Sequence, residues 1–354
     1  MKILSTSRRG PVRRAIAGAA GALLLASTLA ACGGGSGDEK TASGQDKVDF
    51  GVFPVFVSLP VWVAQEQGFF DDHDLSVSLK TITTGPAMIS ALASGSLDAM
   101  VVGVTSVETA RVSGMPLKMV AVTLPTSIYH VFGSTELMKD CDYVGQPYPA
   151  PLKCAKGKKI GIIGGLGTES HTVGLSLLNQ VGLKEKDVTF VPIGGGEGGG
   201  QALKEGQIDI QLAEDTAAAF TTGLGAGEPL TDIQTQGVFE SWVGGAAWAM
   251  DPEIQKNPEK FQRMSDALAD AVEWIVDPAN EAAAAKIFKK YSPTISEETI
   301  VAVLQNTRKS WGSEASCDQV MNAVNWLVEN GTIDGDKADK SCDDLLTKSA
   351  RVTK

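Results

Sequence analysis

The stretch VDFGVFPVFVSLPVWVAQEQGFFDDHDLSVSLKTITTGPAMISALASGSLDAM, residues 48–100, decides how the rest of the chain is interpreted. VDFGVF is a short apolar, β-branched run and LSVSLKTI alternates with period two, so both predict strands. Between them, LPVWVAQEQGFF has helical spacing from Val61 to Gly68. This order predicts a βαβ unit, in which the turns after the strands face a common crevice. The turns at 53–59 and 83–86 are therefore predicted to contact a bound molecule.

The same stretch resembles a known family. PVWVAQEQGFFDDHDLSV followed by GPAMISALASGSLDAMVVG resembles the periplasmic substrate-binding proteins of ABC importers, in the branch that binds nitrate, taurine, aliphatic sulfonates and thiamine pyrimidines. GKKIGI, DVTFVPI and ALKEGQIDI fit the second half of that family, so the resemblance covers most of the mature chain. It implies an α/β, two-lobe periplasmic-binding-protein-like fold of type II. Each lobe would be a mixed, mainly parallel sheet flanked by helices, and two crossing segments would form a hinge.

The first 31 residues have the features of a targeting segment and are left out of the fold. The sequence LAAC at 29–32 matches the bacterial lipobox, in which Cys32 is lipidated and becomes the new N-terminus. The alternative is an uncleaved membrane anchor, although the apolar run 15–31 is short for a hydrocarbon core of roughly 30 Å. Residues 32–47 are rich in Gly, Ser and charge, which predicts a flexible tether.

The remaining chain is long and acidic. About 320 residues exceed the usual size of one core, and this favours two lobes, predicted at 48–127 with 243–354 and at 128–242. Without the targeting segment the chain would carry 26 basic and 42 acidic residues, a net charge of −16. Nucleic acid is excluded as a partner because it requires a basic face. A small anionic ligand is not excluded, since local fields in a cleft override net charge.

The four cysteines after the lipobox predict two disulfides. They allow three pairings, and their order along the chain favours Cys141 with Cys154 and Cys317 with Cys342. The alternative is a set of free buried thiols, which is less compatible with the oxidising side of the membrane.

The histidines and cysteines do not predict a metal site. There is no C-x-x-C pair, and His73, His130 and His171 lie far apart with no partner at i, i+4. Zinc sites in proteins normally combine such closely spaced ligands. We therefore expect no metal.

The second lobe is predicted to open with the strand GKKIGII, a glycine-rich turn and the helix HTVGLSLLNQVGL. Gly165, Gly167 and Ser170 nearly satisfy the dinucleotide pattern G-x-G-x-x-G. That site requires an acid at the end of the next strand, but Asp187 lies at the beginning of VTFVPI. The free N–H groups where the helix starts at Thr168 instead predict contact with a carboxylate, sulfonate or nitrate group. The alternative is that the glycines only permit a tight turn.

Acidic residues in the second lobe argue against an anionic ligand. Glu169 suits the dipole of its helix but would repel an anion if it pointed inward. After the strand GQIDIQLA the family usually has an uncharged or aromatic residue with a proline, whereas this chain has Glu214, Asp215 and Thr216. Two carboxylates there would suit an amine or a protonated pyrimidine. Alternatively, Asp215 caps the helix that begins at Thr216.

Weaker patterns complete the outline of the chain. They predict strands at 97–104 and 117–124, and an extended first crossing at 127–133 with no helix after it. PLTDIQTQG and SWVGGAAWAM form the return crossing, with Trp242 near the hinge. From Pro252 onward the chain is helical, and KFQRMSDALADAVEWIVD has one apolar face that is predicted to cover the first sheet.

Patterns and resemblance together imply a lipid-anchored binding protein on the extracytoplasmic face of the cell membrane. We expect a monomer without cofactor or catalytic activity that delivers a small organic or oxyanion ligand to an ABC permease. The alternative is a cofactor-free or pyrimidine-handling enzyme on the same fold, although the clustered cysteines and donor histidine of the family's synthases have no match here. The predicted ligand-binding residues are aromatic, hydroxyl, glycine and acidic: Phe53, Phe56, Ser58, Thr83, Thr84, Gly85, Thr105, Thr123, Gly165, Gly167, Thr168, Ser170, Glu214, Asp215 and Trp242.

Overall fold

The computed structural model describes residues 40–353, except 128, 194, 195, 235, 237, 238, 240 and 294. The predicted targeting segment, Cys32 and the first part of the tether lie outside the described residues. Within the described part, the chain forms two lobes, each built on a five-stranded sheet. No helix in this part of the chain is both long enough and apolar enough to cross a membrane.

Strands and helices alternate through most of the described chain. The strands are β1 (Asp46–Val52), β2 (Leu75–Thr81), β3 (Ala99–Val102), β4 (Leu117–Leu124), β5 (His130–Ser134), β6 (Lys159–Ile163), β7 (Thr189–Ile193), β8 (Ile210–Ala213), β9 (Gly227–Thr231), β10 (Gly245–Met250), β11 (Ala315–Ser316) and β12 (Val352–Thr353). The helices are α1 (Leu59–Gln67), α2 (Phe69–Asp72), α3 (Gly85–Ala93), α4 (Val104–Val112), α5 (Thr135–Asp140), α6 (Glu169–Gln180), α7 (Gly196–Lys204), α8 (Asp215–Gly223), α9 (Asp251–Lys256), α10 (Pro258–Val276), α11 (Glu281–Tyr291), α12 (Glu297–Thr307) and α13 (Cys317–Glu329).

The two sheets share one topology. The first has the strand order β2-β1-β3-β10-β4 and the second has the order β7-β6-β8-β5-β9. In the first sheet β10 runs antiparallel to both of its neighbours, and in the second sheet β5 does the same. The chain passes to the second sheet between β4 and β5 and returns between β9 and β10, so two segments cross between the lobes. The predicted fold class is confirmed.

The opening βαβ unit follows from its sequence. β1 pairs in parallel with β2 from Asp46 opposite Leu75 to Val52 opposite Thr81. α1 has Pro60 in its first turn, where a missing N–H costs nothing, and it ends at Gly68, whose φ of 83° is the left-handed conformation that favours glycine. Local residue preferences therefore position the turn between β1 and α1.

The long helix α10 covers the first sheet through its apolar face. Phe261, Met264, Leu268 and Ile275 are at most 4% exposed, and α10 packs against α1 and β4. Burying one such large side chain stabilises the fold by roughly 1.5–3 kcal/mol. The helical covering predicted from the spacing of these residues is confirmed.

Two disulfides tie loops of the structure to their neighbours. Cys141 bonds to Cys154 and Cys317 bonds to Cys342, as the order of the cysteines predicts. The first closes the proline-rich loop after α5, and the second joins the start of α13 to the C-terminal segment. The free-thiol alternative is wrong for these four residues.

Two predicted segments differ in the structure. The strand expected at 97–104 is β3 alone, because Gly103 already has the extended conformation of an N-cap and α4 begins at Val104. The run expected to have no helix after it is followed by α5, which is capped by the Ser134 hydroxyl accepting from the Leu137 N–H. Both differences arise at helix starts, where a single cap residue outweighs the average preference of its neighbours.

Candidate functional site

A cavity lies where the two sheets present the carboxyl ends of their strands to each other. It has a volume of about 610 Å³, including the part open to solvent. Segments that follow β1, β3, β6 and β8 contribute to it, as expected for ligand sites of open α/β sheets. The lining residues are Phe53, Val55, Val57, Gly85, Val102, Gly103, Ser106, Tyr129, Ile163, Gly164, Thr168, Glu169, Ser170, Glu214 and Gly244.

The wall from the first lobe is largely apolar and is held by a buried turn. Phe53, Val55 and Val57 belong to the segment between β1 and α1. The hydroxyl of Ser58, which is fully buried, accepts a hydrogen bond from the Phe53 N–H at 3.1 Å. The Ser292 hydroxyl donates to the Pro54 carbonyl oxygen at 3.1 Å. The apolar wall is therefore preorganised rather than shaped by a ligand.

The turn between β6 and α6 forms the opposite wall and has its own cap. Gly164, Gly165 and Gly167 have φ of 74°, 96° and 79°, which a side chain would strain. The Thr168 hydroxyl donates to the Gly165 carbonyl oxygen at 2.7 Å and accepts from the His171 N–H at 3.4 Å. The glycines thus permit a tight turn, and the helix start already has a hydroxyl acceptor.

This turn also touches the first lobe across the cleft. A Cβ built on Gly164 would lie 3.2 Å from the Thr83 carbonyl oxygen, and one built on Gly167 would lie 3.6 Å from Cγ of Pro86. Added atoms at the two glycines would thus contact the turn before α3. The two predicted ligand-binding turns, 83–86 and the glycine-rich turn, therefore lie on facing sides of one cleft.

Glu169 projects from the first turn of α6 toward the first lobe. A Cβ on Gly103 would lie 2.1 Å from each of the two carboxylate oxygens, so the carboxylate occupies the space that glycine leaves. Burial raises the pKa of Glu169 to about 7, although the Thr105 side chain and the Gly103 N–H favour the charged form. Its Oε1 atom is buried and has no hydrogen-bond partner among the described residues.

A second carboxylate and a phenol share the cavity with Glu169. Glu214 is 4% exposed, and its Oε1 atom accepts from the Phe56 N–H of the first lobe at 3.4 Å. Burial raises the pKa of Tyr129 well above its usual value, and the negative charges of Glu169 and Glu214 add to the increase. Two acidic side chains therefore share this part of the cleft with Tyr129, and the raised pKa of Glu169 leaves that carboxyl only partly ionised near neutral pH.

Asp215 does not cap α8. The N-cap residue is Glu214 and no side chain accepts at this helix start, so the capping prediction is wrong. Asp215 instead lies 2.6 Å from Nε2 of His130 on β5, with the Gln234 side chain donating to the same carboxylate oxygen at 3.4 Å. The Asp215 carboxylate therefore pairs with the partly buried His130 side chain instead of a backbone N–H of α8. No local sequence pattern indicates this contact, because the two residues are distant in the chain.

Five of the fifteen predicted ligand-binding residues line the cavity: Phe53, Gly85, Thr168, Ser170 and Glu214. Thr83 and Thr84 are exposed beside the lining, while Gly165 and Gly167 shape the turn behind it. The remaining predicted residues support the walls or the core, and these are Phe56, Ser58, Thr105, Thr123, Asp215 and Trp242.

The aromatic residues among them are core residues. Phe56 is fully buried, with ring centroids 5.7 Å from Phe288 and 4.9 Å from Trp311. Trp242 is fully buried between Phe239 and Trp326, with centroid distances of 4.9 and 5.3 Å. Both rings fill space between elements distant in sequence, which is why they do not reach the cavity.

The sequence reasoning did not select the other lining residues: Val55, Val57, Val102, Gly103, Ser106, Tyr129, Ile163, Gly164, Glu169 and Gly244. A usable signal existed for those directly after a strand, because strand ends meet at the crevice. Tyr129 and Gly244 lie on the crossing segments, where neither period nor turn chemistry indicates a direction.

The described residues offer no metal site. Among them no group of three or more His, Cys, Asp or Glu side chains is placed to hold an ion.

The chain matches a known family in sequence. A model of the family described as NMT1/THI5 like matches residues 56–282. Two sequence relatives are THI13 and THI5 of Saccharomyces cerevisiae, each named a 4-amino-5-hydroxymethyl-2-methylpyrimidine phosphate synthase. Each is 23% identical over 259 residues, which covers 67% of this chain and 67% of the relative.

Solved structures share the fold. A protein of Bordetella bronchiseptica RB50 has a TM-score of 0.74 at 24% identity and covers 85% of this chain and 94% of its own. The alkanesulfonate-binding protein SsuA of Xanthomonas axonopodis pv. citri, bound to MOPS, has a TM-score of 0.66 at 18% identity, with coverage of 87% and 98%. The periplasmic nitrate-binding protein NrtA of Synechocystis PCC 6803 has a TM-score of 0.59 at 14% identity, with coverage of 72% and 69%. These likenesses are likenesses of fold.

Proposed function

Because the chain belongs to the NMT1/THI5-like family, we propose that it is the solute-binding component of an ABC importer. It captures a small organic molecule in the cleft between its lobes and delivers it to a membrane permease. The observation that carries this proposal is that turns of both lobes line one cavity between the two sheets. The solved structures of the same fold include proteins named for binding alkanesulfonate and nitrate, which supports it.

The geometry suggests how binding is communicated to the permease. Phe53 and Val57 of the first lobe face Ser170 and Glu214 of the second across the cavity. A ligand that contacts both walls has its full binding energy only when the lobes are together, so it shifts the population toward the closed form. The permease then recognises the closed form rather than the ligand itself.

The proposal includes the location of the protein. Delivery to an importer requires the extracytoplasmic face of the membrane, and the lipobox at Cys32 would hold the protein there through a lipid. One acyl chain alone gives only marginal membrane binding, so a lipoprotein anchor with more than one chain fits the role.

The second candidate function is a pyrimidine-handling enzyme. The names of the yeast relatives favour it. Against it, the described cavity lining contains no cysteine or histidine, so the clustered cysteines and donor histidine of the family's synthases have no counterpart there. Four of the cysteines are held in disulfides. Binding without turnover is therefore the better-supported activity.

A thermal-shift screen followed by calorimetry tests the proposal. Sulfonates, carboxylates, pyrimidines and amines are added to the mature protein, and the best stabiliser is titrated by calorimetry. A ligand at about 100 times its Kd should stabilise the folded state by roughly 2.7 kcal/mol. Mass spectrometry after prolonged incubation should recover it unchanged.

The matched variants are Phe53→Ala, which removes part of the cavity wall, and Tyr143→Ala, an exposed aromatic residue outside the lining. Phe53→Ala should weaken binding and Tyr143→Ala should not. Conversion of the ligand to a product would favour the enzyme instead. Equal ligand affinity of both variants and the wild type would contradict binding of the ligand in the cleft.

A further inference from the structure

The charged side chains of the cavity are all acidic in the part of the chain that the structure describes. Glu169 and Glu214 line it, and the described lining contains no lysine, arginine or histidine. They come from two separate turns, after β6 and after β8. Both line the cavity together with Tyr129, whose pKa is raised by burial and further by their charges. A ligand in this cavity therefore meets an acidic side chain from each of two turns.

The carboxylate of Glu169 lacks a complete set of partners. Its Oε1 atom is buried and, within the described residues, accepts no hydrogen bond. Burying a carboxylate oxygen without a donor is unfavourable, and the cost is larger for the charged form. The Thr105 hydroxyl and the Gly103 N–H lie beside this carboxylate and favour its charged form, but burial outweighs them. A donor supplied by a ligand would relieve this deficit.

Glu214 is fixed in place where a ligand would meet it. It is nearly fully buried yet lines the cavity, and the Phe56 N–H holds one of its oxygens. This contact and the burial of Glu214 keep its carboxylate at a fixed place in the cavity lining.

Two of the helix starts at the cavity already have oxygen acceptors, whereas the start of α3 at Gly85 has no side-chain cap. The start of α6 is capped by the Thr168 hydroxyl, which accepts from the His171 N–H. The start of α4 at Gly103 is faced by the Glu169 carboxylate itself. A sulfonate or nitrate group at any of these helix starts would share the cavity with the side chains of Glu169 and Glu214, which disfavours an anion.

We infer that the cleft selects a small organic cation, an amine in its ammonium form on an apolar body, with Glu169 and Glu214 as its charge partners. This inference rests on the proposed solute-binding function and names the ligand class. Phe53, Val55 and Val57 form the wall for the apolar body. The Tyr129 ring adds an aromatic face of the type that attracts cations.

Matched probes test the inference. Benzylamine, cyclohexylamine and phenethylamine are each compared with the alcohol and the sulfonate of the same skeleton, by thermal shift and calorimetry near neutral pH. Each skeleton holds shape constant while the charge changes from positive to neutral to negative. The amines should stabilise the protein more than their counterparts. If no amine stabilises the protein more than both its alcohol and its sulfonate, the inference of a cationic ligand is overturned. The same holds if no compound in the panel stabilises the protein.

Charge-neutralising variants test whether Glu169 and Glu214 cause the preference for amines. Glu214→Gln and Glu169→Gln should each lower amine affinity about tenfold or more, the size expected for one hydrogen bond to a charged group. Their affinity for the matched alcohol should change much less, because the apolar walls are intact. Glu298→Gln, an exposed residue of α12, is the matched control. Equal losses for amine and alcohol in both cleft variants would indicate damage to the fold rather than loss of charge recognition, and would contradict the inference.

The two proposals fail separately. Suppose that a sulfonate or a neutral pyrimidine binds tightly, that Phe53→Ala weakens this binding, and that the ligand is recovered unchanged. The solute-binding function then stands, and the inference of a cationic ligand is wrong. If a bound amine is converted to a product, the inference of a cationic ligand stands and the proposed transport function is wrong.

Discussion

The fit between Gly103 and Glu169 is the decisive contact at the scale of single residues. Both carboxylate oxygens lie where a Cβ of residue 103 would be, so only glycine permits this position. The backbone of Gly103 has φ of −73°, which any residue adopts, and so the glycine is required for space rather than for conformation. One missing side chain on the first lobe thus makes room for a charge from the second.

Gly103→Ala is predicted to displace the Glu169 carboxylate while the chain stays folded. The displaced group is the far end of a flexible side chain, and replacing a glycine N-cap by alanine costs only about 1 kcal/mol. We expect a small drop in the unfolding midpoint and a loss of about tenfold in affinity for the best amine, measured by calorimetry. Gly198→Ala in α7, where an added Cβ meets no atom within 4 Å, is the control. Unchanged amine affinity in Gly103→Ala would remove Glu169 from the site.

At the scale of elements, α4 links the cleft to the C-terminal segment. Its first residues line the cavity, and Arg111 near its end donates to both carboxylate oxygens of Asp339 at 2.5 and 2.7 Å. Glu108, fully buried on the same helix, accepts from the Asp339 N–H at 3.0 Å, while its Oε2 atom has no hydrogen-bond partner in the described chain. The disulfide of Cys317 and Cys342 holds the same segment. The network fixes the helix whose start faces Glu169.

Glu108 is predicted to make stability depend on pH. Burial, and then the neighbouring Asp339 carboxyl, raise the pKa of Glu108 from 4.5 to about 7. Between these values the folded protein holds a proton that the unfolded chain has released, so this group's contribution is fully present below about 4.5 and is lost as pH rises through about 7. Glu108→Gln mimics the protonated form, so the variant does not lose this contribution to the free energy of unfolding as pH rises.

Urea unfolding at several pH values between about 5 and 8 measures this effect. Relative to the wild type, Glu108→Gln should gain unfolding free energy as pH rises, by a few kcal/mol at most. Glu298→Gln, exposed on α12, should follow the wild type at every pH. A difference between Glu108→Gln and the wild type that stays constant with pH would mean that Glu108 carries its charge in the folded state as in the unfolded one.

At the scale of the whole molecule, two lobes of one topology are joined by two crossing segments and meet across the cleft. The lobes meet through both polar and apolar contacts, because α4 packs against α6, α8 packs against α12, and the Phe56 N–H donates to Glu214. The crossing segments are packed by buried rings, with Trp242 against Phe239 and Trp326. Closure of the lobes around a ligand therefore buries apolar as well as polar surface.

The predicted tether leads to a test on the full chain in cells. Cys32→Ala removes the acylation site and should move the protein from the membrane fraction to the soluble fraction, as followed by immunoblot after carbonate washing. Ser36→Ala, in the same glycine-rich segment, should leave the protein in the membrane fraction. If Cys32→Ala stays with the membrane as the wild type does, the uncleaved-anchor alternative is the correct one.

Sequence alone determined the fold class through the family resemblance of its motifs. The opening βαβ unit, the covering by α10 and the two disulfides follow from short-range patterns, namely strand and helix periods and cysteines close in the chain. The tertiary structure alone decided which residues face the cleft. Phe56 and Trp242 are turned into the core by partners distant in sequence, and Glu169 is turned out of its helix into the space left by Gly103. A side chain's direction at a turn depends on which distant surface packs against it, and no local pattern encodes that surface.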